Sequence, residues 1–278
     1  MAFYRRCCAV LMLCLLSSFA GCTGQKPVGL CVEILDVGQG DCTLITADDS
    51  VLMIDTGTAA ARHDVQGHLS ERRIDRIDYL LLTHPHEDHV GNARMLIETD
   101  TVGALIVPQT EEDTQAWQLI MHVAAEKGIP VYIAREGDVY TVGGAELEIL
   151  QVLYEAEDVN DQSVICRVTY GEIVCLFTAD AEEKGEACLL DRVPPERLNC
   201  DLLKAGHHGS ERSLGAALLQ VASPAHVAVS CGVQNDYGFP HKALIDRLEA
   251  AGVELHRTDT EGTLTYKSDG KSIWLERG

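Results

Sequence analysis

Thr83-His84-Pro85-His86-Glu87-Asp88-His89-Val90-Gly91-Asn92 is the stretch on which the reading of this chain turns. It follows a segment, Ile77 to Leu82, that reads as a strand covered on both faces. Three imidazoles and a carboxylate thus fall within six residues at the end of a buried strand, where packing gives no reason for them. Such donors suit zinc, manganese or iron. Pro85 stiffens the turn, and alternation along an extended loop turns His84 and His86 toward one ion and Asp88 and His89 toward its neighbour. Gly91 permits close backbone approach where the next helix begins. The competing reading is a polar loop with chance histidines.

The first residues set the compartment. Arg5 and Arg6 precede an apolar run from Cys7 to Leu16, and small residues then lead to Cys22, the layout of a secretory signal over residues 1–21. That run is too short to span a membrane stably. Ser18-Phe19-Ala20-Gly21-Cys22 resembles a bacterial lipoprotein processing site, which would put a lipid on Cys22; an ordinary cleaved signal is the alternative. Residues 22–28 then form the lipidated cysteine and tether, and 29–278 a single large domain, since no composition shift marks a second. The expectation is an exported lipoprotein held at the membrane through Cys22, with no obligate protein partner evident.

Eleven cysteines look like a disulfide framework until the leader and Cys22 are set aside. Seven remain, an odd number, most of them single in apolar segments, so they read as small core residues rather than bridges. No CxxC pair offers a thiolate zinc site. The formal charge is −21, and losing a leader with two arginines and no acid makes the chain more acidic still. Such a surface repels polyanions at long range, which argues against a tight nucleic-acid binder.

Short β-branched runs predict strands at Leu30–Leu35, Cys42–Thr46 and Val51–Ile54, then a helix at Ala59–Leu69. Beyond the histidine loop, strands and helices alternate. Strands are expected at Ala104–Val107, Ala145–Val152, Val164–Thr169, Ile173–Thr178, Asp201–Ala205 and Val227–Ser230, and near Leu255 and Leu264. Helices are expected at Thr114–Lys127, Ala181–Leu190, Leu214–Val221 and Lys242–Ala251. Antiparallel runs at the start and βα units later point to an α/β arrangement of sheets covered by helices.

The spacing HxHxDH in His84-Pro85-His86-Glu87-Asp88-His89 resembles the signature of the metallo-β-lactamase superfamily, and Leu52-Met53-Ile54-Asp55-Thr56-Gly57 resembles its strand-end aspartate segment. Four further blocks resemble the hydrolase domain of the ComEC/Rec2 competence branch: Leu35-Asp36-Val37-Gly38-Gln39-Gly40-Asp41, Leu203-Lys204-Ala205-Gly206-His207-His208-Gly209-Ser210, Asn235-Asp236-Tyr237-Gly238-Phe239-Pro240-His241 and Arg257-Thr258-Asp259-Thr260-Glu261-Gly262. They occur in family order over nearly the whole mature chain. In that branch the domain accompanies a DNA-uptake channel and is associated with degrading the non-transported strand; this chain has no polytopic region.

The resemblance implies an αββα sandwich with two divalent ions, zinc or manganese, at strand ends between its sheets. It implies metal ligands His84, His86, Asp88, His89, Asp180, His207 and His208, with Asp180 bridging the ions; a helix N-cap is the other reading of Asp180. One of His207 and His208 should reach the second metal while the other orients phosphate or leaving group. Asp88, His208 and His241 are the catalytic candidates, with Phe239 standing where many relatives carry histidine. True β-lactamases supply a third histidine to the first metal before the bridging aspartate, and only His122 lies in that interval, within a helix pattern. Asp161 or Asn160 could take that place. His63, His68, His226 and His256 read as structural.

The implied reaction is hydrolysis of a phosphodiester, making the chain an extracytoplasmic DNase acting on nucleic acid or another phosphodiester substrate. The alternatives are a metallo-hydrolase of a small ester, lactone, thioester, β-lactam or phosphodiester, and a non-catalytic binding lipoprotein, since fold does not fix substrate.

Overall fold

A computed structural model describes residues 29–110 and 114–277. The leader and Cys22 lie outside the described residues. Strands β1 (Leu30–Ile34), β2 (Thr43–Ala47), β3 (Ser50–Ile54), β4 (Tyr79–Leu81), β5 (Leu105–Val107) and β6 (Val131–Ile133) build the first sheet. The chain then crosses to a second, made of β7 (Val139–Val142), β8 (Ala145–Gln151), β9 (Ile165–Tyr170), β10 (Ile173–Phe177), β11 (Leu202–Lys204), β12 (His226–Val229) and β13 (Glu254–Arg257). It finally returns to the first through β14 (Leu264–Ser268) and β15 (Ile273–Leu275). The strand orders are β15-β14-β1-β2-β3-β4-β5-β6 and β13-β12-β11-β10-β9-β8-β7.

Alternation within the strands sends one set of side chains between the sheets and the other outward. Val32, Ile34, Ile45, Leu52 and Leu81 meet Leu147, Ile149, Cys166, Val168, Cys175 and Phe177 in the middle layer. The outward faces are covered by helices: Val65, Leu69, Leu96, Trp117 and Ile120 pack on the first sheet, and Leu189, Leu218, Leu244 and Leu248 on the second. The result is the expected αββα sandwich. Parallel pairing runs through β3-β4-β5-β6 and β10-β11-β12-β13, with the other neighbours antiparallel, so the C-terminal ends of the central strands open on one rim.

All seven cysteines of the described residues are free, and Cys42, Cys166, Cys175, Cys200 and Cys231 are buried. Burial pushes the thiols of Cys31 and Cys231 up to about 12. Among the described residues no helix is long and apolar enough to cross a membrane.

The departures from expectation sit at edges and in short elements. β6, β7 and β15 have no clear pattern because they are peripheral; Tyr132, Ile133 and Val139 point largely to solvent, so alternation is lost. The strand expected from Ile77 contracts to β4, with Ile77 making only an isolated bridge to Val102. The helix expected just after Gly91 is present but only six residues long, Ala93–Glu98, and the helix expected from Ala181 begins at Glu183.

The middle layer dominates stability. Leu147→Ala, at a fully buried inter-sheet position, should cost about 2–5 kcal/mol, whereas Val139→Thr on the exposed edge should stay within about 0.5 kcal/mol. Urea unfolding of the two variants checks this; equal losses would contradict the layer assignment.

Candidate metal centre

The centre grows from Asp55, the residue after β3. One of its oxygens, Oδ1, accepts the Thr83 N–H at 2.8 Å; the other, Oδ2, accepts the Thr83 hydroxyl at 2.7 Å and contacts His89 Nδ1 at 2.8 Å. A buried carboxylate thus ties the ends of β3 and β4 and holds Nδ1 of His89, leaving Nε2 to face inward. The His89 carbonyl is gripped by the backbone and hydroxyl of Thr56, at 2.6 and 2.9 Å. Gly91 is required here: a Cβ would lie 2.3 Å from Ala59 N. Gly40 is required for the same reason, since its Cβ would meet the Asp88 carbonyl at 2.5 Å while Asp41 N–H donates to that carbonyl at 3.0 Å. The Asp36–Asp41 turn is therefore folded onto the histidine loop.

Asp180 enters from the other sheet, just after β10. Its Oδ2 lies 3.3 Å from His89 Nε2, 3.7 Å from His208 Nε2 and 3.8 Å from the Nε2 atoms of His84 and His207. One carboxylate oxygen thus stands among four imidazole nitrogens. His84 Nε2 and His86 Nδ1 face each other at 3.0 Å, and His208 Nε2 lies 3.1 Å from Asp88 Oδ2. The structure brings His84, His86, Asp88, His89, Asp180 and His208 together, with Asp180 between the His84 side and the Asp88–His208 side.

A cation fits this donor set. His89 Nε2 and Asp180 Oδ1 are buried without a hydrogen-bond partner, a costly state for polar atoms that a divalent ion would relieve. His84, His89 and Asp180 form one group whose ligand atoms lie within 4.8 Å of one another, and Asp88, His89 and His208 form a second.

Charge is concentrated here. Burial disfavours a charged His89, yet the Asp180 and Asp55 carboxylates outweigh it and hold the ring well above its ordinary pKa. Burial and the neighbouring His89 hold His84 well below. Burial works against Asp180, but His89 and His208 keep it well below the usual carboxylate range. For His208, burial is overcome by Asp180 and Asp41, which push its pKa up to about 9.

His207 and His208 are now distinct. His208 is buried inside the cluster, while His207 lies at its rim, with Nδ1 held by Glu182 Oε1 at 2.9 Å and its ring against Phe239 at 5.4 Å. Glu182 in turn contacts Arg212 at 2.6 Å. His241 stands outside the buried cluster, its ring 4.9 Å from that of Phe239. Its Nδ1 accepts the Glu211 N–H at 3.0 Å and its Nε2 lies 3.3 Å from the Tyr237 carbonyl, so both ring nitrogens serve a surface turn.

Asp161 is also reassigned. Its Oδ1 accepts the N–H groups of Glu182 and Gly185 at 2.9 and 3.0 Å, fixing the helix after Asp180 rather than a metal. Ser163 takes the position beside His84: its hydroxyl accepts the Asp180 N–H at 3.2 Å and lies 3.3 Å from His84 Nδ1. His122 stays outside, paired with Glu126 on an exposed helix face.

Two residues were missed as members of the site. Lys204 is buried on β11 and contacts Asp41 Oδ2 at 2.6 Å, and Asp41 Oδ1 lies 3.2 Å from His208 Nδ1. Burial disfavours the Asp41 charge, but Lys204 and His208 hold it well below its ordinary value. The available signal was a lysine inside the apolar run Leu202-Leu203-Lys204-Ala205, since a buried ammonium requires a carboxylate partner.

A buried His/Asp cluster at the strand ends of an αββα sandwich defines a class, and the chain belongs to the metallo-beta-lactamase superfamily, whose sequence profile matches residues 35–233. Divalent-metal binding is the property that this membership carries. Among curated proteins, the chain is 27% identical over 282 residues to ComE operon protein 3 of Bacillus subtilis (strain 168), covering 94% of this chain and 35% of that one. It is 30% identical over 237 residues to competence protein ComA of Neisseria gonorrhoeae, covering 84% and 32%. The chain therefore spans about a third of the length of these relatives. Among solved structures, the metallo-beta-lactamase fold protein YhfI from Bacillus subtilis aligns with a TM-score of 0.58 at 14% identity, over 89% of this chain and all of that one, which shows the shared fold.

In protein stripped of divalent ions, the raised pKa of His208 has a testable sign. A group pushed up from 6.5 to about 9 contributes its full stabilisation below pH 6.5 and loses it as pH rises through 9. The melting temperature of chelated protein should fall across that window, and His208→Gln should flatten the fall. A parent profile that is level between pH 6.5 and 9 would refute the assignment.

Proposed function

We propose that this chain is an exported, lipid-anchored phosphodiesterase that uses two divalent ions, zinc or manganese, to cut single-stranded nucleic acid. The observation that carries this reading is an aromatic platform at the rim of the two-cation donor set. Tyr237 and Phe239 stack at 5.4 Å with an interplanar angle of 11°, and Phe239 also packs against His207 and His208 at 5.4 and 6.2 Å. Tyr237 is 66% exposed. An exposed tyrosine backed by a partly buried phenylalanine, next to a phosphate-directed centre, offers a face on which a base can stack. The similarity to competence proteins supports the same substrate class.

The ions, when bound, supply positive charge for the phosphoryl oxygens and acidify the attacking water. His84 and His86 would hold one, Asp88, His89 and His208 the other, and Asp180 would bridge them. Asp88, partly exposed, orients the water. His207, with Nδ1 fixed on Glu182, presents Nε2 at the rim, where it would pass a proton taken up from solvent to the leaving oxygen. Asp41 and Lys204 hold His208 from behind.

A net charge of −21 opposes a long polyanion, while the ions attract phosphate directly. Screening shortens the repulsion to about 10 Å at 0.1 M salt and leaves direct contacts in place. Cleavage should therefore depend on added manganese or zinc and fall little from low to moderate salt, unlike basic binders. Asp180→Asn should abolish it, and Tyr237→Ala should weaken single-strand binding by about 1–3 kcal/mol per lost stack. Gel assays on single-stranded DNA, RNA and small phosphodiesters check this. Intact nucleic acid together with Asp180-dependent opening of a lactone or thioester would replace this reading with that of a small-ester hydrolase, which the acidic surface favours.

Anchoring has its own test. Cys22→Ala should abolish acyl labelling and the associated processing, leaving an unlipidated product in the membrane fraction; equal acyl labelling of variant and parent would refute lipid on Cys22.

A further inference from the structure

A second donor cluster lies at the far end of the sheet from the metal centre. His226 opens β12, whereas Ser230, just past its end, contacts His208; four residues of extended chain put about 13 Å between them. His226 pairs with Glu254 across the β12–β13 ladder, and Ala228 with His256, so His226, Glu254 and His256 share one face, directed between the sheets. His226 Nδ1 lies 3.3 Å from Glu254 Oε2, and His256 Nε2 lies 3.3 Å from Glu254 Oε1. Neither contact is a hydrogen bond: both nitrogens are buried and unpartnered, as is the hydroxyl of Tyr266, whose ring lies 5.7 and 6.1 Å from the two imidazoles.

We propose that His226, Glu254 and His256 form a structural site for a borderline divalent cation, represented by zinc, that staples edge strand β13 to β12. Three ligand atoms within 4.8 Å of one another suit one ion with bonds of about 2.0–2.2 Å. Glu261 Oε2 contacts His256 Nδ1 at 3.0 Å, which places the proton on Nδ1 and turns the Nε2 lone pair toward Glu254. That lone pair repels the facing carboxylate unless a cation lies between them, and His226 Nδ1 is likewise without a hydrogen-bond partner. Arg277, 3.7 Å from Glu254 Oε1, is the only competing cationic side chain paired with Glu254 among the described residues, and it is 82% exposed. Glu254 itself is half-exposed, giving the ion a path from solvent.

The test uses the full chain, stripped with chelator, reloaded with zinc chloride, desalted and counted by elemental analysis. His256→Gln and Glu254→Gln should each hold one zinc fewer than the parent, and their zinc-induced rise in melting temperature should shrink. Glu261→Gln should retain the site with affinity lowered about 10- to 100-fold. The one-zinc difference should persist when His86→Ala has disabled the strand-end centre, which separates this site from that one. Equal zinc counts in parent, His256→Gln and Glu254→Gln overturn the proposal, as does a difference that vanishes in the His86→Ala background. Should His256→Gln lose cooperative unfolding, Glu254→Gln at its half-exposed position decides alone.

Discussion

Everything at the strand-end rim depends on how buried negative charge is balanced. Asp55 and Asp180 come from different sheets and flank one imidazole, His89, at 2.8 and 3.3 Å. Neither carboxylate could stay ionised in that setting without positive charge or donated hydrogen bonds beside it. Asp55 obtains two bonds from Thr83, and by doing so fixes the geometry of the turn that carries His84, His86 and Asp88. The glycines, the folded-over Asp36–Asp41 turn and the buried Asp41–Lys204 pair are further parts of the same balance. Because the donors arise from both sheets, whatever neutralises them also ties the sandwich together at that end.

This arrangement separates what the fold supplies from what the rim supplies. The strand ends present a donor set common to a large superfamily, and a fold at this level hosts unrelated chemistries. The rim of this chain is formed by Phe239, Tyr237 stacked on it, and His207 drawn aside by Glu182. The chain as a whole is strongly acidic, with a net charge of −21. A net charge of this sign repels a polyanion at long range, so whatever this rim recognises is held by short-range contacts.

The layers and the central histidine loop were legible because each central strand is an apolar run that ends abruptly in polar residues, as at Ile54-Asp55 and Leu82-Thr83-His84. Edge strands β6 and β7 were not, since exposure on both sides removes the alternation that marks a strand. The position of His241 outside the buried cluster was not legible, because nothing local reveals that Glu211 and Tyr237 contact its nitrogens. Asp161 misled in the same way, its role being fixed by backbone groups over twenty residues onward. The Asp41–Lys204 contact spans 163 residues, and the pairing of His226 with Glu254 depends on strand register; neither leaves a trace in periodicity.

The seven free thiols of the described residues shape how this molecule fails. In the native state those of Cys42, Cys166, Cys175 and Cys200 are shielded by the sheets, their pKa values pushed up by burial, and are chemically inert. Opening the sandwich exposes them together, with ordinary acidity and no native partner to prefer. Under oxidising conditions any pairing then traps a non-native connectivity that cannot be packed back between the sheets. Endurance is accordingly governed by the barrier to opening rather than by the equilibrium between folded and unfolded chain. Heat inactivation becomes one-way in air and recoverable under reductant.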